Sequence, residues 1–98
     1  MVVAARHYVV RGRVQGVGFR FFAEAAAGRE GLHGHVVNRE DGGVDVLAEG
    51  DLAALERFEA ALRQGPAAAR VDAVEVDVRA PRGAGAGFSI LADDVWTR

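Results

Sequence analysis

Between residues 6 and 14 apolar and polar positions alternate roughly, with Tyr8, Val10 and Gly12 on one parity and Arg11 and Arg13 on the other. That period predicts a strand. From about Phe19 to Arg29 the period lengthens: Phe19, Phe22, Ala23, Ala26 and Ala27 recur at helical spacing and make one stripe to bury. Gly28 lies near the end of this helix and Gly31 offers a stop. His35 to Asn38 reads as a short strand, Asp41-Gly42 as a hairpin turn, and Val44 to Ala48 as the returning strand, with Val44, Val46 and Ala48 on one face. Asp51 is placed to cap a second helix, whose stripe is Leu52, Leu55, Phe58, Ala61 and Leu62 and whose stop is Gly65-Pro66. Arg70 to Arg79 alternates most cleanly, although Val71 is out of phase with Val74, Val76 and Val78. Pro81 to Gly87 reads as a glycine-rich connection, Phe88 to Leu91 as a last short strand, and residues 92–98, with Trp96, as a tail.

The order is β-α-β-β-α-β with a short extra strand. Two strand-helix-strand units sharing one sheet predict an α+β fold, the ferredoxin-like split βαβ sandwich. Its four- to five-stranded antiparallel sheet would carry two helices on one face and leave the other partly wet. Strands 1 and 3 would lie side by side at the centre, with strand 2 beside strand 3. The 98 residues suit a single domain, with its core from about residue 6 to 91.

Residues 12–20 read Gly-Arg-Val-Gln-Gly-Val-Gly-Phe-Arg and join the first strand to the first helix. Gly12, Gly16 and Gly18 permit tight turns and close approach to a ligand. A strand-to-helix loop aims several backbone N–H groups at one place, and the helix dipole favours an anion there. Arg20, in the first helical turn, can fork onto two phosphate oxygens. The loop from Gln15 to Phe19 with Arg20 therefore forms a candidate phosphate cradle. The split βαβ connection brings the end of strand 2, and with it Asn38, to the same end of the sheet.

Composition narrows the chemistry. There is no cysteine, which excludes disulfides, thiolate metal sites and a cysteine nucleophile. The only Ser is Ser89 and the only Thr is Thr97; all twelve basic residues are Arg, so lysine Schiff-base chemistry is excluded as well. A net charge of −2 argues against bulk nucleic-acid binding. Residues 1–23 hold four arginines and no acid, an asymmetry that could draw a small anion to the loop, although a strand showing Arg6, Arg11 and Arg13 to solvent explains it as well. His33 and His35 share a strand face but are too few for a metal site. No apolar stretch approaches the ~18 residues that span a membrane. The N-terminus has no signal-peptide pattern, and a cytoplasmic protein is expected.

Such parts suit one kind of reaction. Arg20 and the loop amides can hold a phosphoryl group and stabilise charge growing on its oxygens. A neutral Asn side chain can orient a water but cannot take its proton. Only an already activated phosphate, such as a mixed carboxylic–phosphoric anhydride, would then be hydrolysed.

Gly12 to Arg20, followed by Gly34-His35-Val36-Val37-Asn38 and Asp41-Gly42, closely resembles the acylphosphatase family, and the resemblance runs from about Arg6 to Leu91. It implies hydrolysis of small acyl phosphates to carboxylate and inorganic phosphate. It also implies a substrate-binding role for Arg20, a water-positioning role for Asn38, and a backbone cradle from Gln15, Gly16, Val17, Gly18 and Phe19. No metal or organic cofactor is implied. Inorganic phosphate is expected as a product inhibitor and the monomer as the working state, with neither nucleic acid nor membrane as partner. The chain departs from the family pattern at His35, where Trp, Tyr or Phe is common, at Ala23, where Thr is common, and at Glu30, where Leu is common; Arg39 follows the key Asn. The competing reading is a non-catalytic anion-binding or regulatory ferredoxin-like module. Such a module would keep Arg20 and the glycines but have no need of Asn38.

Overall fold

The alternations become strands and the longer periods become helices. In a computed structural model, which describes residues 2–83, 85 and 87–92, the elements are β1 (Val3–Arg13), α1 (Phe19–Arg29), β2 (His33–Asn38), β3 (Val44–Asp51), α2 (Leu52–Gln64), β4 (Arg70–Arg79) and β5 (Phe88–Ile90). The strand order is β4-β1-β3-β2-β5. The two central strands pair antiparallel, with Tyr8 opposite Val46 and Val10 opposite Val44. β2 pairs antiparallel with the other edge of β3, and β4 with the other edge of β1. The ferredoxin-like α+β arrangement is as expected. One detail differs: β5 pairs parallel to β2, so the sheet is mixed, with four antiparallel strands and one parallel edge. Phe88 stands opposite Gly34 and Ile90 opposite Val36, a register that sends both apolar side chains to the helix-covered face.

Period-2 alternation sorts the sheet into two unlike faces. Tyr8, Val10, Val36, Val44, Val46 and Ala48 are buried under the helices. α1 contributes Phe19, Ala23, Ala26 and Ala27, and α2 contributes Ala54, Leu55, Phe58 and Leu62. Tyr8 and Phe58 meet edge to face with ring centroids 6.0 Å apart. Each large side chain removed from water here contributes about 1.5–3 kcal/mol. α1 lies over β2 and β5, and α2 over β1, β3 and β4.

The phase slip in β4 has a physical cause. Arg11 pairs with Ala73, yet Gly12 pairs with Val71, so β4 carries one extra residue at Asp72. The bulge lets Val71 and Val74, three apart in sequence, both pack against the core. Asp51 does stand at the N-cap of α2, but its side chain makes no capping bond; the Leu52 N–H donates instead to the Val2 carbonyl. β2 begins at His33, two residues before the expected start, and β3 runs three residues past Ala48. Trp96 and the expected tail from residue 93 lie outside the described residues.

Candidate active site

β1 and β2 are both antiparallel to β3, so they run parallel to each other and end at the same edge of the sandwich. The chain leaves β1 at Arg13, turns through residues 14–18 and enters α1 at Phe19, at that edge. Val10, Val44 and Asn38 follow one another across β1, β3 and β2 in register. Asn38 therefore faces the helix-covered side, at the end where α1 starts. The loop after β1 and Asn38 are thus placed at the same end of the sheet.

The loop conformation requires its glycines. Gly16 and Gly18 have φ of 73° and 79°, in the left-handed region that L-residues avoid. Gly18 is the N-cap of α1, in left-handed conformation and without a capping side chain. The first-turn N–H groups of α1 are consequently left without a side-chain cap, the condition for a helix N-terminus to receive an anion. Val14 and Phe19 are buried and Val17 packs against the core, so apolar anchors fix the loop at both ends and in its middle. Arg20, in the first turn, is half-buried.

Asn38 is the one buried polar residue in the described part of the core, 7% exposed. Its Oδ1 is fully buried and accepts no hydrogen bond from the described residues. A buried acceptor left unpaired costs about 1–3 kcal/mol, a cost that a polar ligand or water at this point would relieve.

Arg39, the next residue, faces the other side of the sheet and is heavily bonded. Its Nε and Nη2 donate to Asp41, and its Nη1 donates to both carboxylate oxygens of Asp45 at 3.1 Å. Arg11 Nη1 donates to Asp41 at 2.9 Å, and Arg11 Nε to Glu75 at 3.0 Å. His7 Nε2 lies 2.7 Å from Asp45. Arg39 first, then Arg11 and the Gly43 N–H, hold the Asp41 carboxyl well below the usual carboxylate range. Asp41 in turn raises Arg39 above its ordinary value. The resulting ladder, Glu75–Arg11–Asp41–Arg39–Asp45–His7, spans the open face and grips the β2–β3 hairpin. It also revises the account of the N-terminal arginines: Arg11 is paired in the ladder, and Arg6 faces α2 and donates to Glu59 at 3.2 Å.

Sequence reasoning did not find this ladder, nor the bonds of the Gln15 side chain, because both depend on strand register. The nearest signal was Arg39 and Asp41, two residues apart in a hairpin, with Asp45 on the return. The positions that depart from the family pattern fall in different surroundings. Ala23 is fully buried in α1, Glu30 accepts from Arg57 of α2 at 2.8 Å, and His35 faces the open side. His33 and His35 line a cavity of about 590 Å³ there, with Leu47, Arg79 and Ser89; neither the loop 15–20 nor Asn38 lines it. His33 Nδ1 accepts the Gly87 N–H, and among the described residues no three metal-binding side chains cluster. No helix among them is long and apolar enough to cross a membrane.

Fold and loop together define a ferredoxin-like domain with a glycine-rich strand-to-helix loop. The family model for acylphosphatase matches residues 6–90. An acylphosphatase of Koribacter versatilis is 55% identical over 76 residues, 78% of this chain and 69% of that protein. One from Azoarcus is 49% identical over 89 residues, 91% of this chain and 90% of that protein. The crystal structure of acylphosphatase from Bacillus subtilis superposes with a TM-score of 0.87 at 39% identity, covering 90% of this chain and 98% of that one. The chain belongs to the acylphosphatase family, enzymes that hydrolyse acyl phosphates.

Proposed function

We propose that Arg20 and the backbone N–H groups from Gln15 to Phe19 hold the phosphoryl group of a small acyl phosphate, and that Asn38 orients the attacking water. The guanidinium and the amides are aimed at the equatorial oxygens, where charge grows as the bond to the leaving group lengthens. Asn38 Oδ1 accepts one O–H of the water and so directs its lone pair at phosphorus. The water oxygen bonds to phosphorus, the acyl C–O–P linkage breaks at the P–O bond, and the carboxylate leaves with the bonding pair. One proton of the water passes to a phosphoryl oxygen. The acyl phosphate dianion and water thus become a carboxylate and dihydrogen phosphate. No side chain has to accept or donate a proton, because the leaving carboxylate is a weak base. No step calls on a metal, since Arg20 and the loop dipoles supply the positive charge.

The observation that best supports this reading is the buried, unpartnered Oδ1 of Asn38 at the sheet end where α1 begins. A residue serving only to turn the chain would satisfy that oxygen on a backbone N–H. The test is loss of benzoyl phosphate absorbance in the presence of a chelator, from about pH 5 to 8. Turnover that ignores the chelator and stays flat with pH is expected. Dependence on added magnesium or zinc, or a bell centred on a histidine pKa, would contradict the scheme. On the same reading inorganic phosphate inhibits competitively, because it occupies the same cradle.

A further inference from the structure

Gln15 lies in the loop, and its side chain does not reach towards Arg20's helix. Its Nε2 donates to the Arg39 carbonyl at 2.7 Å and to the Gly43 carbonyl at 2.8 Å. Both neighbours are carbonyl oxygens, so the amide nitrogen must face them, and both of its N–H bonds are used. The two acceptors sit at the mouth of the β2–β3 hairpin. Arg39 N–H donates to the Gly43 carbonyl at 2.9 Å, closing the hairpin one residue beyond the Asn38–Val44 pair. Gly43 N–H in turn donates to Asp41 Oδ1 at 3.0 Å. A Cβ on Gly43 would come within 3.0 Å of the Val10 carbonyl and 3.3 Å of Arg39 Cδ, so a side chain here would press on the backbone of β1. One end of this strap is the loop, and the other is the backbone on either side of the turn that follows Asn38.

We infer that Gln15 is a positioning residue, whose side chain sets the distance and angle between the phosphate loop and Asn38 without touching the substrate. This rests on the roles proposed above for Arg20 and Asn38. The physical need is plain: the loop belongs to the β1–α1 connection and Asn38 to the β2–β3 hairpin, two segments that converge only through tertiary structure. An attacking water must approach phosphorus in line, and displacement of about 1 Å costs up to ~100-fold in rate. The loop alone binds the anion, whereas the strap governs where the anion lies relative to the water. Removing it should therefore lower kcat and leave phosphate binding nearly unchanged.

Benzoyl phosphate kinetics and phosphate inhibition of wild type, Gln15→Ala and Gln15→Glu, in wild-type and Asn38→Ala backgrounds, test this. Gln15→Ala is expected to lower kcat ~10-fold or more while Ki for inorganic phosphate stays within about two-fold. In the Asn38→Ala background the same change should cost little further, because the residue it serves is gone. Gln15→Glu keeps the shape but sets a carboxylate against two carbonyl oxygens. Its kcat should be low at about pH 8 and rise towards about pH 5, as the carboxyl takes a proton and donates one O–H, while wild type stays flat. A Gln15→Ala kcat within about two-fold of wild type overturns the inference. So does a Ki that weakens in step with kcat, or a Gln15→Glu profile as flat as wild type. If instead Asn38→Ala keeps full turnover, the proposed role of Asn38 has failed, a result distinct from failure of the strap alone.

Discussion

Asn38 and Arg39 are neighbours in sequence and opposites in environment. Asn38 points under α1, neutral, buried and with an oxygen that no described residue bonds. Arg39 points to the open face and is held by two carboxylates. The same contrast separates the two faces of the sheet at this end: one is mostly apolar and holds the unpaired Asn38 Oδ1, the other is a ladder of alternating charge. Ion pairs at a surface this exposed contribute little stability singly, but a chain of six groups crossing three strands and the hairpin turn restrains backbone geometry. The face with the fixed charges holds the hairpin; the face with the neutral amide is the one that meets the substrate in the proposed scheme.

That contrast can be broken most severely at Arg20. Arg20→Ala is expected to reduce kcat/KM by ~100- to 1,000-fold, and Arg20→Lys nearly as much, because an ammonium cannot reproduce the planar fork. Steady-state kinetics against benzoyl phosphate decide it, and a lysine variant with near-normal kcat/KM would show that charge alone suffices. Next is the loop itself. A Cβ on Gly18 meets nothing within 4 Å, so Gly18→Ala isolates the cost of φ 79°, about 1–2 kcal/mol. Chemical denaturation should read that loss, with phosphate inhibition weakened as the loop relaxes. Arg39→Ala cuts the ladder at its most connected point. A stability loss on the order of 1 kcal/mol is expected, after allowance for solvent screening, with a fall in kcat smaller than that for Asn38→Ala.

The smallest effect is acid sensitivity. Asp41 is held below the ordinary carboxylate range when folded, so its contribution is complete above the unfolded value of about 4 and is lost as pH falls from there through the folded value. Thermal melts of wild type should decline below about pH 4, and Asp41→Asn should flatten part of that decline. An unchanged slope would remove Asp41 from the ladder's account.

How far the sequence carried depends on whether a feature is local. α1 runs from Phe19 to Arg29, as its stripe and glycine stop predict, and α2 lies between Asp51 and Gly65 as read. The glycine loop, Arg20 and Asn38 stand out as candidates because turn chemistry and motif spacing are read along the chain. The register of β4 was not, because the bulge at Asp72 is defined by its partner strand. Nor was the parallel pairing of Phe88–Ile90 with β2, which joins residues more than fifty apart. The ladder and the Gln15 strap were hidden for the same reason: Arg39, Asp45, Arg11 and Glu75 meet only once three strands are in register. Asp51 shows the converse, a local signal whose position held while a distant carbonyl, that of Val2, did its bonding.

The most direct measurement is kcat for benzoyl phosphate together with Ki for inorganic phosphate in a folded Asn38→Ala variant. The account predicts a kcat lower by ~100-fold or more, with Ki close to wild type, since the loop and Arg20 still bind the anion. Undiminished kcat, or a Ki that rises as kcat falls, would contradict the division of labour between loop and amide.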